Sequence, residues 1–235
     1  GSEAKKMEQE AAKFLGVKHA MAVANGTAAV HLALKALELK PGDEVLVPSL
    51  TFVASVNAIV YCQAEPVFVD ITGSDNFNLS VEDLQRKITD KTKAILVVHY
   101  AGYPADMEKL NQIAQEKNLF VIEDSAHAIG AEINKKKMGT WGDIGCFSFF
   151  SNKNLVTGEG GMVVTNSAEL AQKLKLLRSH GMTTLTWERD KGQAHTYDVV
   201  DLGFYYRMTE IEAALGIEQL KKLKKNNAQR EKLTK

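Results

Sequence analysis

The stretch "FFSNKNLVTGEGG", residues 149–161, sets one lysine, Lys153, between an aromatic-rich apolar run and a glycine cluster. A solvated surface charge is the ordinary role of a single lysine. Here the chain has just left "CFSFF", and a lysine beside an apolar wall loses its proton more easily than one in water. A free amine attacks an aldehyde to form a Schiff base. Two other polar clusters offer matching chemistry. In "VIEDSAH", residues 121–127, Asp124 ends a very apolar run, where a carboxylate is costly unless it has a partner. It either caps the next segment or meets a protonated ring nitrogen through a charge-assisted hydrogen bond. His127, three residues on, either packs over the same ligand or is a satisfied structural histidine. In "ANGTAA", residues 24–29, Gly26 and Thr27 open a helical pattern. A helix N-terminus with a hydroxyl suits phosphate, although Asn-Gly-Thr also makes an ordinary turn and N-cap.

A phosphate cradle, a carboxylate for a pyridinium nitrogen and a lysine for an aldehyde are together the three handles of pyridoxal 5′-phosphate. Each cluster is a weak signal alone, and their order and spacing make the case. For these groups to meet, an α/β sheet must present them at its carboxyl edge. Seven short apolar runs, at 19–23, 44–48, 65–70, 93–99, 119–124, 145–150 and 161–165, read as strands. Several are nearly continuous and rich in β-branched residues, as in strands buried on both faces. Helical patterns fall between them, at 26–38, 51–61, 80–87, 106–117 and 167–179, with another at 3–16. The expected fold is α/β, a mostly parallel seven-stranded sheet with helices on both faces. A last helix starts near Met208, with Ile211, Leu215, Leu220 and Leu223 at helical spacing for packing on the core. It turns basic and polar and runs out without a stop signal. Residues 1–207 are therefore expected to form the cofactor-binding domain, and 208–235 a helix leading to a further domain.

Composition narrows the partners. The 235 residues carry 29 Lys+Arg and 29 Asp+Glu, a formal net charge of zero. Nothing electrostatic then favours nucleic acid or an anionic membrane. No apolar run reaches the roughly 18 residues that span a bilayer, and the start has no secretory pattern. The two cysteines, Cys62 and Cys146, are far apart, without metal-ligand spacing, and read as free thiols of a cytoplasmic protein. No metal is expected.

The chain resembles the sugar aminotransferases of the DegT/StrS type, pyridoxal-phosphate enzymes of fold type I. The matching stretches are "NGTAAVHLAL", "PGDEVLVPSLTFVASVNAIVY", "PVFVDI", "HYAGYPADM", "VIEDSAHAIGA", "GDIGCFSFFSNKNLVTGEGGMVVTN" and "YRMTEIEAALGIEQL", in order through nearly the whole chain. The resemblance implies that Lys153 forms the Schiff base and Asp124 holds the pyridine nitrogen. It implies that Thr27, Ala28 and Ser148 bind phosphate, with Phe52 and His127 near the ring. It also implies transfer of an amino group, usually from glutamate, to a keto sugar attached to a nucleotide. Relatives in which histidine replaces the lysine dehydrate instead, so Lys153 favours transamination. Two rivals remain, another reaction of the same cofactor and a non-catalytic regulatory protein of the same fold. Family members are typically longer, with a C-terminal domain, so the chain reads as part of a longer protein. They often carry Asn where this chain has Tyr205, a residue that reaches the phosphate of the neighbouring subunit. In "GFYYRMTE", residues 203–210, the aromatics and arginine fit a homodimer interface, with Arg207 or Tyr205 aimed at the partner's cofactor phosphate. The other reading is that Phe204, Tyr205 and Tyr206 pack their own core.

Overall fold

The computed structural model describes residues 1–183 and 196–234. Nine strands occur in chain order: β1 (His19–Val23), β2 (Glu44–Pro48), β3 (Glu65–Val69), β4 (Thr92–Val98), β5 (Phe120–Asp124), β6 (Glu132–Ile133), β7 (Lys136–Lys137), β8 (Ile144–Ser148) and β9 (Gly161–Thr165). The helices are α1 (Ser2–Leu15), α2 (Gly26–Ala36), α3 (Val53–Tyr61), α4 (Val81–Lys87), α5 (Met107–Lys117), α6 (Ala168–Leu177) and α7 (Glu210–Thr234). Seven strands form one sheet in the order β1-β9-β8-β5-β4-β2-β3, and β6 and β7 make a separate hairpin. Within the seven-stranded sheet, β9 runs antiparallel to both of its neighbours and the other pairings are parallel. The mostly parallel seven-stranded sheet expected from the apolar runs is present.

Alternation along each strand divides the core into two faces. Val45 and Val47 of β2 and Ile122 of β5 join one cluster, with Val30 and Leu34 of α2, Ile59 of α3 and Leu174 of α6. Leu46 and Val121 point the other way, to Leu84 of α4 and Leu110 of α5. Further along that face, Phe147 and Met162 meet Met7 of α1 and Ile217 of α7. Helices therefore cover both faces. β3, hydrogen-bonded only to β2, is an edge strand, and its Phe68 is exposed.

Local signals explain the helix starts. Asn25, Ser80, Asp106 and Ser167 are N-caps whose side chains accept a first-turn N–H. Gly16 ends α1 in the left-handed region, where glycine has no steric cost.

The last helix corrects an expectation. Its core face is Ala213, Ile217 and Leu223, with Leu220 half-buried, while Ile211 is 84% exposed and Leu215 is also exposed. Small residues decide the orientation, because α7 lies so close to α1 and the Thr157 turn. A Cβ on Gly216 would sit 3.1 Å from Met7 Cε and 3.2 Å from Thr157 Cγ2. The bulkier Ile211 and Leu215 stay outside.

Candidate active site

A cavity of about 540 Å³ opens at the carboxyl ends of β2, β4, β5 and β8. It is lined by Gly26, Thr27, Phe52, Asp124, His127, Ser148 and Lys153, seven of the residues picked out from the sequence. The site follows from topology, since parallel strands deliver their last residues to one edge.

Lys153 sits in the turn after β8, its backbone N–H donating to Phe150 O at 2.9 Å. Its side chain is half-buried. Burial lowers its pKa below the ordinary lysine value, and the charge of Asp124 partly offsets this. His127, exposed at the cavity wall, is also shifted down, by burial first and then by the positive charge of Lys153, with Asp124 opposing. Burial and the Lys153 charge both favour the neutral form of the imidazole.

Asp124 is 9% exposed. Its Oδ2 accepts from Ser55 Oγ at 3.0 Å and its Oδ1 from the Ala126 N–H at 3.1 Å. Ser55 Oγ in turn accepts from Thr51 Oγ1 at 3.0 Å, so a hydroxyl relay from the start of α3 orients the carboxylate. The bond to Ala126 is the local turn cap that the sequence left open. Both donors to the carboxylate are neutral, and among the described residues no cation lies within ion-pair distance of it.

At the N-terminus of α2, Asn25 Oδ1 accepts from the Ala28 N–H at 2.8 Å, and Asn25 O from Ala29 N–H at 3.1 Å. The N-cap reading is thus realised, and it commits the amide of Ala28. Gly26 and Thr27 line the cavity; Ala28 is not among its lining residues. A Cβ on Gly26 would fall 2.7 Å from Ser148 Cβ. Only glycine lets the end of β8 bring the Ser148 hydroxyl beside the helix N-terminus. Phe52, 73% exposed, stands at the cavity mouth.

Tyr205 and Arg207 lie outside this cavity. The two readings of "GFYYRMTE" divide by alternation. Phe204 and Tyr206 stack on each other at 5.0 Å and pack against the core, with Tyr206 OH 3.2 Å from His31 Nδ1. Tyr205 points outward, 64% exposed, between the His180 ring at 5.2 Å and the Arg207 guanidinium at 4.7 Å.

Sequence reasoning missed Thr51 and Ser55, although "TFVAS" spaces the two hydroxyls one helical turn apart. It also missed a buried pair at the site, Glu123 behind the cavity and His99 in its lining. His99 Nε2 lies 2.9 Å from Glu123 Oε2, and both residues are fully buried. A second acidic residue inside "LFVIED" was the available signal.

The residues present fit pyridoxal phosphate: a glycine cradle beside a hydroxyl, a buried carboxylate bonded only by neutral donors, and a lysine of lowered pKa share one cavity. This sheet and this constellation at its edge define the type I fold of pyridoxal-phosphate-dependent transferases. Within that class, the chain belongs to the DegT/DnrJ/EryC1/StrS aminotransferase family, whose model matches residues 1–235. It is 47% identical over 226 residues to GDP-perosamine synthase of Caulobacter vibrioides, covering 96% of this chain and 58% of that protein. Its fold matches that of Helicobacter pylori PseC, an aminotransferase involved in the biosynthesis of pseudoaminic acid, with a TM-score of 0.88 and 34% identity. That match covers 95% of this chain and 58% of the PseC chain. The PLP form of Spr1654 from Streptococcus pneumoniae, a putative sugar aminotransferase, matches with a TM-score of 0.87 and 30% identity, over 96% of this chain and 60% of that one. The chain thus spans less than two thirds of the length of these relatives. Among the described residues, no helix is long and apolar enough to cross a membrane.

Proposed function

We propose that the protein to which this chain belongs is a pyridoxal-phosphate-dependent aminotransferase that moves an amino group from a donor such as glutamate to a keto sugar carried on a nucleotide. The observation that carries this reading is the convergence of Lys153, Asp124 and the Gly26–Ser148 cradle on one cavity. The relatives' names support the sugar nucleotide as substrate class.

When bound, pyridoxal phosphate supplies an aldehyde for amine capture and a ring that accepts electrons. Gly26, Thr27 and Ser148 would hold its phosphate at the positive end of α2. Asp124, oriented by Ser55 and the Ala126 N–H, would keep a proton on the ring nitrogen. Phe52 and His127, at the cavity wall, would lie near the ring. Lys153 would hold the aldehyde and, as a free amine, would accept the proton from the donor carbon as general base. Its lowered pKa makes the free amine available for that task.

The functional unit in this reading is a cytoplasmic homodimer, with exposed Tyr205 or half-buried Arg207 directed at the partner's cofactor phosphate. Residues 1–207 make up the cofactor-binding unit, and the helix from 208 leads toward a further domain. The full-length protein, loaded with cofactor and given ¹⁵N-glutamate and a panel of nucleotide keto sugars, should place label on the sugar. Unlabelled sugars together with release of ammonia would point to elimination and overturn the transfer reading.

A further inference from the structure

β5 ends in two adjacent carboxylates, Glu123 and Asp124. Strand alternation sends them to opposite faces of the sheet, and a one-residue slip would exchange them. The two are treated very differently. Glu123 accepts from the N–H groups of Gly139 (2.7 Å), Trp141 (2.6 Å) and Gly142 (2.6 Å), and from His99. His99 Nδ1 accepts the Ala105 N–H at 3.2 Å, so the ring proton lies on Nε2 and is donated to Glu123. The donating turn is built for close approach. A Cβ on Gly142 would meet Val121 O at 2.5 Å, and one on Gly139 would overlap the Phe147 ring. Asp143 fastens the same turn to the strand, its Oδ2 accepting from Val121 N–H at 2.8 Å. Next to the site, the backbone N–H of His99 donates to Asp124 O at 3.2 Å.

Glu123 satisfies three backbone N–H groups and the His99 N–H, so the arrangement contributes to stability as any satisfied buried acceptor does. What the clamp specifies is which carboxylate faces the cavity. We propose that Glu123 and His99 are positioning residues, a clamp between the back of β5 and the cavity-lining end of β4 that fixes the face of β5 and thereby aims Asp124 into the cavity. The clamp also reaches the cavity electrostatically. Burial, followed by the charges of Asp124 and Glu123, pushes the thiol of cavity-lining Cys146 well above its ordinary pKa.

The consequence for the cofactor rests on the function proposed above, whereas the consequence for the backbone does not. The test therefore reads both, in the full-length protein. Variants are Glu123→Gln, which turns an acceptor into an N–H donor facing other donors; His99→Leu, which removes both ring contacts; and His99→Gln, which keeps one donor and one acceptor. In cofactor-free protein, hydrogen exchange at the Ala126 amide, which donates to Asp124, should accelerate in Glu123→Gln and His99→Leu relative to the core amides of β4. The same variants should weaken binding of added pyridoxal phosphate about 10–100-fold, in line with other partners that orient a ligand-holding group. They should also change its bound absorbance spectrum, while His99→Gln stays near the wild type. If Glu123→Gln does not fold, the two His99 variants decide through Ala126 exchange in cofactor-free protein, because His99 also lines the cavity. Variants that melt earlier yet keep wild-type Ala126 exchange and cofactor affinity would overturn the positioning role. A wild-type protein that binds no pyridoxal phosphate, with Ala126 exchange still responding to the clamp, would sink the cofactor reading and leave the clamp standing.

Discussion

Glu123 and Asp124 share a strand end, a charge and burial in the core, yet the fold gives one a full set of donors and the other only two. Glu123 is surrounded by three backbone N–H groups and an imidazole N–H. Asp124 has a serine hydroxyl and one amide. A satisfied buried carboxylate has nothing left to bind, so it serves the architecture. A buried carboxylate with two neutral donors keeps acceptor capacity for a cation, and this one faces a cavity that also holds Lys153. In the proposed reading, the difference marks Glu123 as the structural acid and Asp124 as the candidate functional one.

Replacing Lys153 is the severest way to sharpen the contrast. Lys153→Ala should abolish covalent capture of pyridoxal phosphate and reduce turnover to background, with little change in folding, because the side chain is only half-buried. Absorbance of the loaded protein and circular dichroism check the two parts. Asp124→Asn comes next. A hydrogen bond to a charged group is worth about 1.5–3 kcal/mol, which bounds the loss in cofactor binding. Rate should fall much further, because the ring nitrogen no longer keeps its proton. Near-normal turnover would reduce Asp124 to the local cap that its Ala126 contact already makes it.

A smaller effect is expected at Gly26. The added methyl of Gly26→Ala meets Ser148 Cβ at 2.7 Å, and overpacking of this kind costs about 1–3 kcal/mol. The loss should appear as weaker cofactor retention and a modest fall in Tm. A pH experiment gives the finest test. Because the Lys153 pKa is lowered by burial and held up by Asp124, its amine is free at lower pH than a surface lysine. The pH profile for reductive labelling of Lys153 should lie below that of exposed lysines. Removing the charge with Asp124→Asn should shift it lower still, and an upward shift would contradict the assigned sign.

Much of this was legible in the chain. The seven apolar runs became the seven sheet strands, most clearly β2, β4, β5, β8 and β9, because strands buried on both faces need nearly uninterrupted apolar residues. Lys153, Asp124 and Gly26 stood out because each broke such a pattern at a strand or helix end. The Glu123 clamp was not legible, since its donors at 139–142 lie 16 to 19 residues away and are backbone groups that carry no side-chain signature. The outward turn of Tyr205 depended on a period-two alternation too short to read, with Phe204 and Tyr206 pinned inward by the core. On α7, periodicity found the helix and missed its face, because close contact with Met7 favours the small Ala213 and Gly216 over the larger Ile211 and Leu215.

The most direct test is to reduce the cofactor-loaded full-length protein with borohydride and map the modified peptide. The account predicts a single pyridoxyl-lysine, at Lys153 in the peptide that follows "CFSFF". Modification of any other lysine, or none in protein that retains bound cofactor, would contradict it.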